Sequence, residues 1–311
     1  MSAQTGKTVK KAAVVGNPIS HSLSPQLHTA GWGAPYFIRE HLEQGKFAEY
    51  LNSRDTSWIG LAVTMPFKFA AVQTADIVDG LAKSVGAANT IVFQPTGPKT
   101  RMSVAFNTDV AGIVNAIREV TDSVFDANSA EPNRNSISVD SSRKLAAQRN
   151  FPTAAILGSG ATASSALAAV IQLGAQQVTV CARKSAGPNT VFAAAHRLHL
   201  DLNYQHIASE NCVKTMSHSE LVISTLPAGA ADSAAEQLAE LLSNTPSPET
   251  ALAEKILLDV VYEPNPTQLM QVWTKHGGTV VPGWLMLLHQ AIDQARLLLG
   301  KHPISVQCAK H

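Results

Sequence analysis

Thr153-Ala154-Ala155-Ile156-Leu157-Gly158-Ser159-Gly160-Ala161-Thr162-Ala163 is the stretch on which the fold turns. Ala154 to Leu157 is a short apolar run of the kind that forms a buried strand, and Gly158-Ser159-Gly160 is a tight turn. Ala163 to Leu173 has the length and apolar content of a helix, which Gly174 closes. Gln177 to Ala182 reads as a second strand, so the whole is one strand–helix–strand unit of about 30 residues. Two more strands are expected at Leu221 to Ser224 and Ile256 to Val260, and a short one at Val280 to Val281, with helical stretches between them. Strands alternating with helices imply a parallel, doubly wound sheet.

Glycines at 158 and 160 leave backbone N–H groups free to approach a pyrophosphate, and the helix N-terminus behind them favours negative charge. Gly158, Ser159, Gly160 and Ala161 are therefore candidate nucleotide contacts, with Ala163 in the place of the third fingerprint glycine. A plain strand–turn–helix corner would carry the same glycines, so the end of the second strand matters. Folds that prefer NAD place an acid there for the ribose 2′-OH. This chain has Ala182-Arg183-Lys184-Ser185 instead. Two cations and a hydroxyl suit a 2′-phosphate, which makes NADP(H) the expected cofactor.

Upstream, Ala12 to Val15 and Ile59 to Thr64 read as strands, and Phe67 to Ile77 as a helix. Thr90 to Phe93 is a short strand. Val110 to Val120 is a periodic helix that Asp109 is placed to cap. Thr121 to Asn150 is rich in Ser, Asn, Asp and Arg and is expected to be a long loop or partly disordered insertion. Leu285 to Leu299 is a C-terminal helix ended by Gly300.

The 311 residues are enough for two cores. Aromatics make up only 5% of the chain against 45% hydrophobic residues, so small aliphatic side chains must fill those cores. A net charge of +1 gives no basic face for nucleic acid. No stretch approaches the ~18 consecutive apolar residues of a membrane span. Met1 to Lys11 is polar and lacks the apolar region of a secretory signal, so a cytoplasmic location is expected. Cys181, Cys212 and Cys308 are widely spaced and are expected to be reduced thiols. The eleven His show no H-E-x-x-H spacing, and no metal is expected.

The other polar segments are individually ordinary. Ser20-His21-Ser22-Leu23-Ser24-Pro25 is a serine-rich turn whose hydroxyls could donate to a carboxylate. Val63-Thr64-Met65-Pro66-Phe67-Lys68 delivers a Thr and then a Lys just past a strand. Asn89 sits among small residues, and Asn107-Thr108-Asp109 opens a helix.

Their order is less ordinary. Gly-Asn-Pro-Ile-x-His-Ser-x-Ser-Pro from Gly16, Val-Thr-Met-Pro-x-Lys from Val63, Gly-Ala-x-Asn-Thr from Gly86 and Asn-Thr-Asp-x-x-Gly from Asn107 all precede the nucleotide fold. Asp259-x-x-Tyr262-x-Pro264-x-x-Thr267-x-Leu269 and Gly283-x-x-Met286-Leu287-x-x-Gln290-Ala291 follow it. This set resembles the shikimate dehydrogenase family, from about Ala13 to Gly300, and fails mainly across Thr121 to Asn150. The resemblance implies NADPH-dependent reduction of 3-dehydroshikimate by an α/β protein of two α/β domains, one binding substrate and one of Rossmann type. The substrate domain would be residues 1–112 completed by a C-terminal helix within 284–311, and the cofactor domain 113–283, in a monomer or homodimer.

Carried over by position, the resemblance implies Ser22 and Ser24 on the substrate carboxylate, and Thr64, Lys68, Asn89 and Asp109 around the ring hydroxyls. Tyr262 and Gln290 would close the pocket from the other side. Gly283 and Met286 would lie near the nicotinamide, and Thr225 in the cofactor site. Lys68 and Asp109 would be the catalytic pair. The chain departs from the family pattern at Thr29, Ala62, Ala182-Arg183-Lys184 and Ser224-Thr225-Leu226-Pro227, but at no proposed catalytic residue. Two alternatives remain at this level: an NAD-linked quinate/shikimate dehydrogenase or an enzyme for an aminated analogue, and a non-catalytic nucleotide sensor on the same fold.

Overall fold

A computed structural model describes residues 10–32, 36–128 and 149–300. Cys308 and residues 129–148 of the expected insertion lie outside them. The amino-terminal part runs β1 (Lys11–Gly16), α1 (Ser24–Trp32), β2 (Tyr36–His41), α2 (Phe47–Asn52), β3 (Trp58–Val63), α3 (Lys68–Thr74), β4 (Ile77–Val78), α4 (Gly80–Val85), β5 (Thr90–Pro95), β6 (Arg101–Phe106) and α5 (Asp109–Asn128). The remainder runs β7 (Thr153–Leu157), α6 (Ala161–Gln172), β8 (Gln177–Ala182), α7 (Val191–Leu198), β9 (Asn203–His206), α8 (Glu210–His218), β10 (Leu221–Ser224), α9 (Asp232–Ser243), β11 (Ile256–Asp259), α10 (Gln268–Lys275), β12 (Thr279–Pro282) and α11 (Gly283–Leu299).

The strands form two six-stranded sheets, so the chain is an α/β protein of two such units. The second sheet has the order β12-β11-β10-β7-β8-β9 and every pairing in it is parallel. Helices cover both of its faces, which is why its strands read as near-continuous apolar runs. Ala154, Ile156, Val180, Ile223 and Leu258 pack on one face, and Ala155, Leu157, Cys181, Val222 and Leu257 on the other. Strand order reverses between β7 and β10, the place where open α/β sheets bind ligands.

The first sheet, β2-β1-β3-β5-β6-β4, is mixed. β1 pairs in parallel with β2 and β3, whereas β5 is antiparallel to both β3 and β6. Phe47 and Leu51 of α2 and Phe67 and Ala71 beside and on α3 cover Leu61, Val63, Ile91 and Phe93 on one face. The end of α11 returns to this sheet, and α11 lies along α5. Gly112 makes that approach possible, since a Cβ there would lie 2.8 Å from the Gln290 Cβ and 3.0 Å from the Met286 carbonyl oxygen.

Three expectations need correction. The helix from Asp109 does not stop at Val120 but continues through Thr121 to Asn128, within the segment expected to be a loop. Buried Thr121 is accommodated because its hydroxyl donates to the Ile117 carbonyl 3.0 Å away, so the polar residue joins the helix. Asp109 is not the cap: the side-chain oxygen of Asn107 accepts from Val110 N at 3.2 Å, and Asp109 occupies the first turn. The helix expected over Phe67 to Ile77 ends at Thr74, where the Asp76 carboxylate binds Ser103 N and Oγ at 2.7 Å each and draws the chain into β4.

Candidate active site

The carboxyl ends of β1 and β3, the starts of α3 and α5, and α11 meet around a cavity of about 270 Å³. That is the scale of a small-molecule site. Each substrate-side residue expected from the sequence lines it: Ser22, Ser24, Thr64 and Lys68 from the first strand–helix turns, Asn89 and Asp109 beside them, and Tyr262 and Gln290 from the last third of the chain. Gly283 and Met286 line it too.

Lys68 is positioned by its neighbour. Phe67 is buried against Phe47, with ring centroids 5.6 Å apart, so the chain enters α3 with Lys68 turned to the cavity. Lys68 Nζ donates to Asp109 Oδ2 at 2.6 Å, and the two side chains are only 12% and 4% exposed. Asp109 stands in the first turn of α5, where the partial positive charge of the helix N-terminus favours a carboxylate. A surface ion pair is worth little, but removing one partner of a pair this deep leaves an uncompensated charge.

Asn89 holds the other carboxylate oxygen. The two N–H groups of its Nδ2 are shared among Asp109 Oδ1 at 2.8 Å, Thr108 Oγ1 at 2.9 Å and Gln290 Oε1 at 3.0 Å, while its Oδ1 accepts from Thr108 N at 2.8 Å. Gln290 therefore belongs to the same wall as Asn89 and does not close the pocket from the opposite side; of the two residues expected there, only Tyr262 comes from the second unit. The network extends beyond what the sequence suggested. Gln294, one helical turn after Gln290, donates to the Asn89 carbonyl at 3.0 Å and to Thr90 Oγ1 at 2.9 Å. Its Oε1 lies 2.9 Å from His28 Nε2, which makes Nε2 the protonated nitrogen, and the His28 ring stacks on Phe37 at 4.5 Å. Burial holds the His28 imidazole neutral, pulling its pKa down to about 4. The i, i+4 spacing of the two glutamines was the available signal for Gln294.

The serine-rich turn is tied at two adjacent carbonyls. Arg39 Nε donates to the Ser22 carbonyl at 3.0 Å, and the Tyr262 hydroxyl donates to the His21 carbonyl at 3.3 Å. Tyr262 is itself set by the Asp259 motif. Asp259 is buried and accepts from Thr267 Oγ1 at 2.8 Å and Val261 N at 3.2 Å, and burial pushes its carboxyl above the usual range.

Apart from Gly283 and Met286, the candidate cofactor residues lie outside this cavity, around the strand-order reversal and the end of β8. Gly158 has φ +105°, a conformation that favours glycine, and a Cβ there would lie 2.5 Å from Thr225 Oγ1. Thr225 Oγ1 donates to the Leu157 carbonyl at 2.7 Å, and Val191 N donates to the Ser159 carbonyl at 3.0 Å, so the turn is held from both sides. Nothing lies within 4 Å of the Cβ position at Gly160, which leaves the start of α6 open to a pyrophosphate. Arg183, Lys184 and Ser185 follow β8 and are exposed. This open turn, helix terminus and exposed cationic loop fit a dinucleotide phosphate. Among the described residues no group of three or more His, Cys, Asp or Glu is arranged to hold a metal, and no helix is long and apolar enough to cross a membrane.

Comparison with known proteins agrees with this geometry. Residues 14–91 match the model of the shikimate dehydrogenase substrate binding domain. A crystal structure of a shikimate 5-dehydrogenase from Mycobacterium fortuitum is 31% identical, with 94% of each chain covered and a TM-score of 0.70. A shikimate dehydrogenase structure from Mycobacterium tuberculosis is 30% identical over 94% of this chain and 95% of that one, with a TM-score of 0.69. A curated relative from Dinoroseobacter shibae named shikimate dehydrogenase (NADP(+)) is 29% identical over 94% of this chain and 92% of its own.

Proposed function

The chain belongs to the shikimate dehydrogenase family, and from that premise we propose that it catalyses the reversible, NADPH-dependent reduction of 3-dehydroshikimate to shikimate, with Lys68 and Asp109 as its catalytic pair. The observation that carries the residue assignment is the 2.6 Å contact between Lys68 Nζ and Asp109 Oδ2 inside a cavity lined by serines and amides. Reducing a ring ketone requires a hydride on carbon and a proton on oxygen; the nicotinamide cofactor supplies the hydride when bound. Lys68 Nζ donates the proton and stabilises the developing alkoxide. Asp109, itself held by Asn89, orients Lys68. In the oxidative direction Lys68 takes the proton back from the hydroxyl.

Ser22 and Ser24 bind the substrate carboxylate in this reading, and Thr64, Asn89, Gln290 and Tyr262 bind its hydroxyls. Gly158, Ser159, Gly160, Ala161 and Thr225 hold the cofactor's pyrophosphate and neighbouring groups, Arg183, Lys184 and Ser185 its 2′-phosphate, and Gly283 and Met286 its nicotinamide end. The substrate unit is residues 1–112 with the helix from 284 onward, and the cofactor unit is 113–283, with α5 running from one into the other. The free, buried thiols of Cys181 and Cys212 suit a cytoplasmic location.

Initial rates with shikimate and with quinate, each with NADP and NAD, test the reading. Turnover is expected with shikimate and NADP, at a kcat/KM well above the other three combinations. A preference for quinate or for NAD would overturn the substrate or cofactor assignment. Tight NADPH binding without turnover would identify a sensor.

A further inference from the structure

Lys68 has a second partner, and it comes from the cofactor unit. Its Nζ donates to Thr162 Oγ1 at 3.4 Å as well as to Asp109. Thr162 is the second residue of α6, two positions past Gly160, and it lines the substrate cavity. It is the one residue of the glycine turn and its helix start to do so; Gly158, Ser159, Gly160 and Ala161 do not. An ammonium has three N–H groups in fixed tetrahedral relation. With one on Asp109 and one on Thr162, the direction of the third is set. Asp109 alone would leave Nζ free to rotate about the Cε–Nζ bond and the side chain free to swing about its carboxylate contact.

We propose that Thr162 is a positioning residue for the reaction, fixing the Lys68 ammonium from the cofactor side so that its remaining N–H faces the substrate oxygen. The inference rests on the reading of Lys68 as proton donor. Its physical content is alignment: a group that must transfer a proton in the transition state loses rate when its orientation is spread, even if the substrate still binds. Because Thr162 sits at the open end of α6, any movement of that helix start also moves the second anchor of Lys68. The sequence hid this role, since Thr162 reads as one small residue inside a nucleotide turn.

The test uses the full chain and three variants. Thr162→Val keeps the shape and removes the oxygen, Thr162→Ser keeps the oxygen, and Thr162→Ala removes both. Thr162→Val and Thr162→Ala are expected to lower kcat about tenfold, with the KM for shikimate within about twofold of wild type, and Thr162→Ser to restore kcat to within about twofold. The Kd for NADPH, read from nucleotide fluorescence, is expected to stay within about twofold in all three. A kcat for Thr162→Val equal to wild type overturns the proposal. So does a loss confined to NADPH affinity, which would make Thr162 a cofactor contact only, or a failure of Thr162→Ser to recover what Thr162→Val loses. Wild-type protein that turns over shikimate while these outcomes occur refutes the role of Thr162 alone; wild-type protein inactive on shikimate refutes the reading beneath it.

Discussion

The two walls of the cleft are built on opposite plans. The substrate wall is a set of buried side chains bonded to one another: Lys68 to Asp109, Asp109 to Asn89, Asn89 to Gln290, and Gln294 behind them to Thr90 and His28. The cofactor wall is backbone and solvent-exposed charge: a glycine turn braced by Thr225, the open start of α6, and the Arg183-Lys184-Ser185 loop. On the proposed function, the difference follows from what each must recognise. A small polyhydroxylated ring is told from its analogues by directional contacts, which demand side chains locked in place. Phosphates need positive potential and N–H groups, which a helix terminus and exposed cations provide with little supporting structure.

The contrast can be broken by substitution. The largest effect is expected at the most interconnected point: Lys68→Ala should lower kcat about a thousandfold with modest change in the KM for shikimate. Near-wild-type turnover would remove Lys68 from the chemistry and leave the substrate wall as a binding surface only.

The second break is by pH. His28 is buried neutral, its pKa lowered from 6.5 to about 4. The unfolded chain takes up a proton below pH 6.5 that the folded chain refuses until about pH 4. The contribution of this group is therefore complete above pH 6.5 and is lost as pH falls toward 4, by about 3 kcal/mol in all. Urea unfolding midpoints measured across that range should fall with pH in the wild type and fall less steeply in His28→Asn. Parallel curves would show that the back of the wall tolerates a charge.

On the other wall the effect should be smaller and confined to binding. Arg183→Ala is expected to raise the KM for NADP about tenfold and leave kcat and kcat/KM with NAD unchanged. An equal loss with both nucleotides would mean that Arg183 serves the whole cofactor and not its 2′-phosphate. The smallest change is expected at Tyr262, whose hydroxyl reaches only the His21 carbonyl among the described residues. Tyr262→Phe should raise the KM for shikimate about threefold or less, since its one hydrogen bond is long and lies near the surface. A loss approaching that of Lys68→Ala would make the serine turn part of the catalytic geometry.

How much of this was legible in the chain depended on whether a feature is local. The central strands of the second sheet were readable because they are buried on both faces and announce themselves as apolar runs, whereas its polar edge strand β9 (Asn-Tyr-Gln-His) was not read. The first sheet was less so: β2 (Tyr-Phe-Ile-Arg-Glu-His), β6 and the two-residue β4 are mixed or short and owe their existence to partners. The polar stretch Thr121 to Asn128 looked like loop by composition, yet α5 runs through it. The motif Asp259 to Thr267 was visible, but its purpose was not: its carboxylate is spent on Thr267 and Val261, holding the turn that carries Tyr262.

By itself, the sequence determined the chemical kinds present, a lysine and an acid amid serines and amides, a glycine turn, and a cationic loop where an acid would mark NAD. These are properties of residue type and spacing, which a single chain displays. Only the tertiary structure decided who faces whom: that Gln290 shares a wall with Asn89 through the close approach at Gly112, and that Thr162 reaches Lys68 from the other unit. Contacts between residues 94 to 201 positions apart depend on how two sheets and the helices between them pack, and no local pattern encodes that.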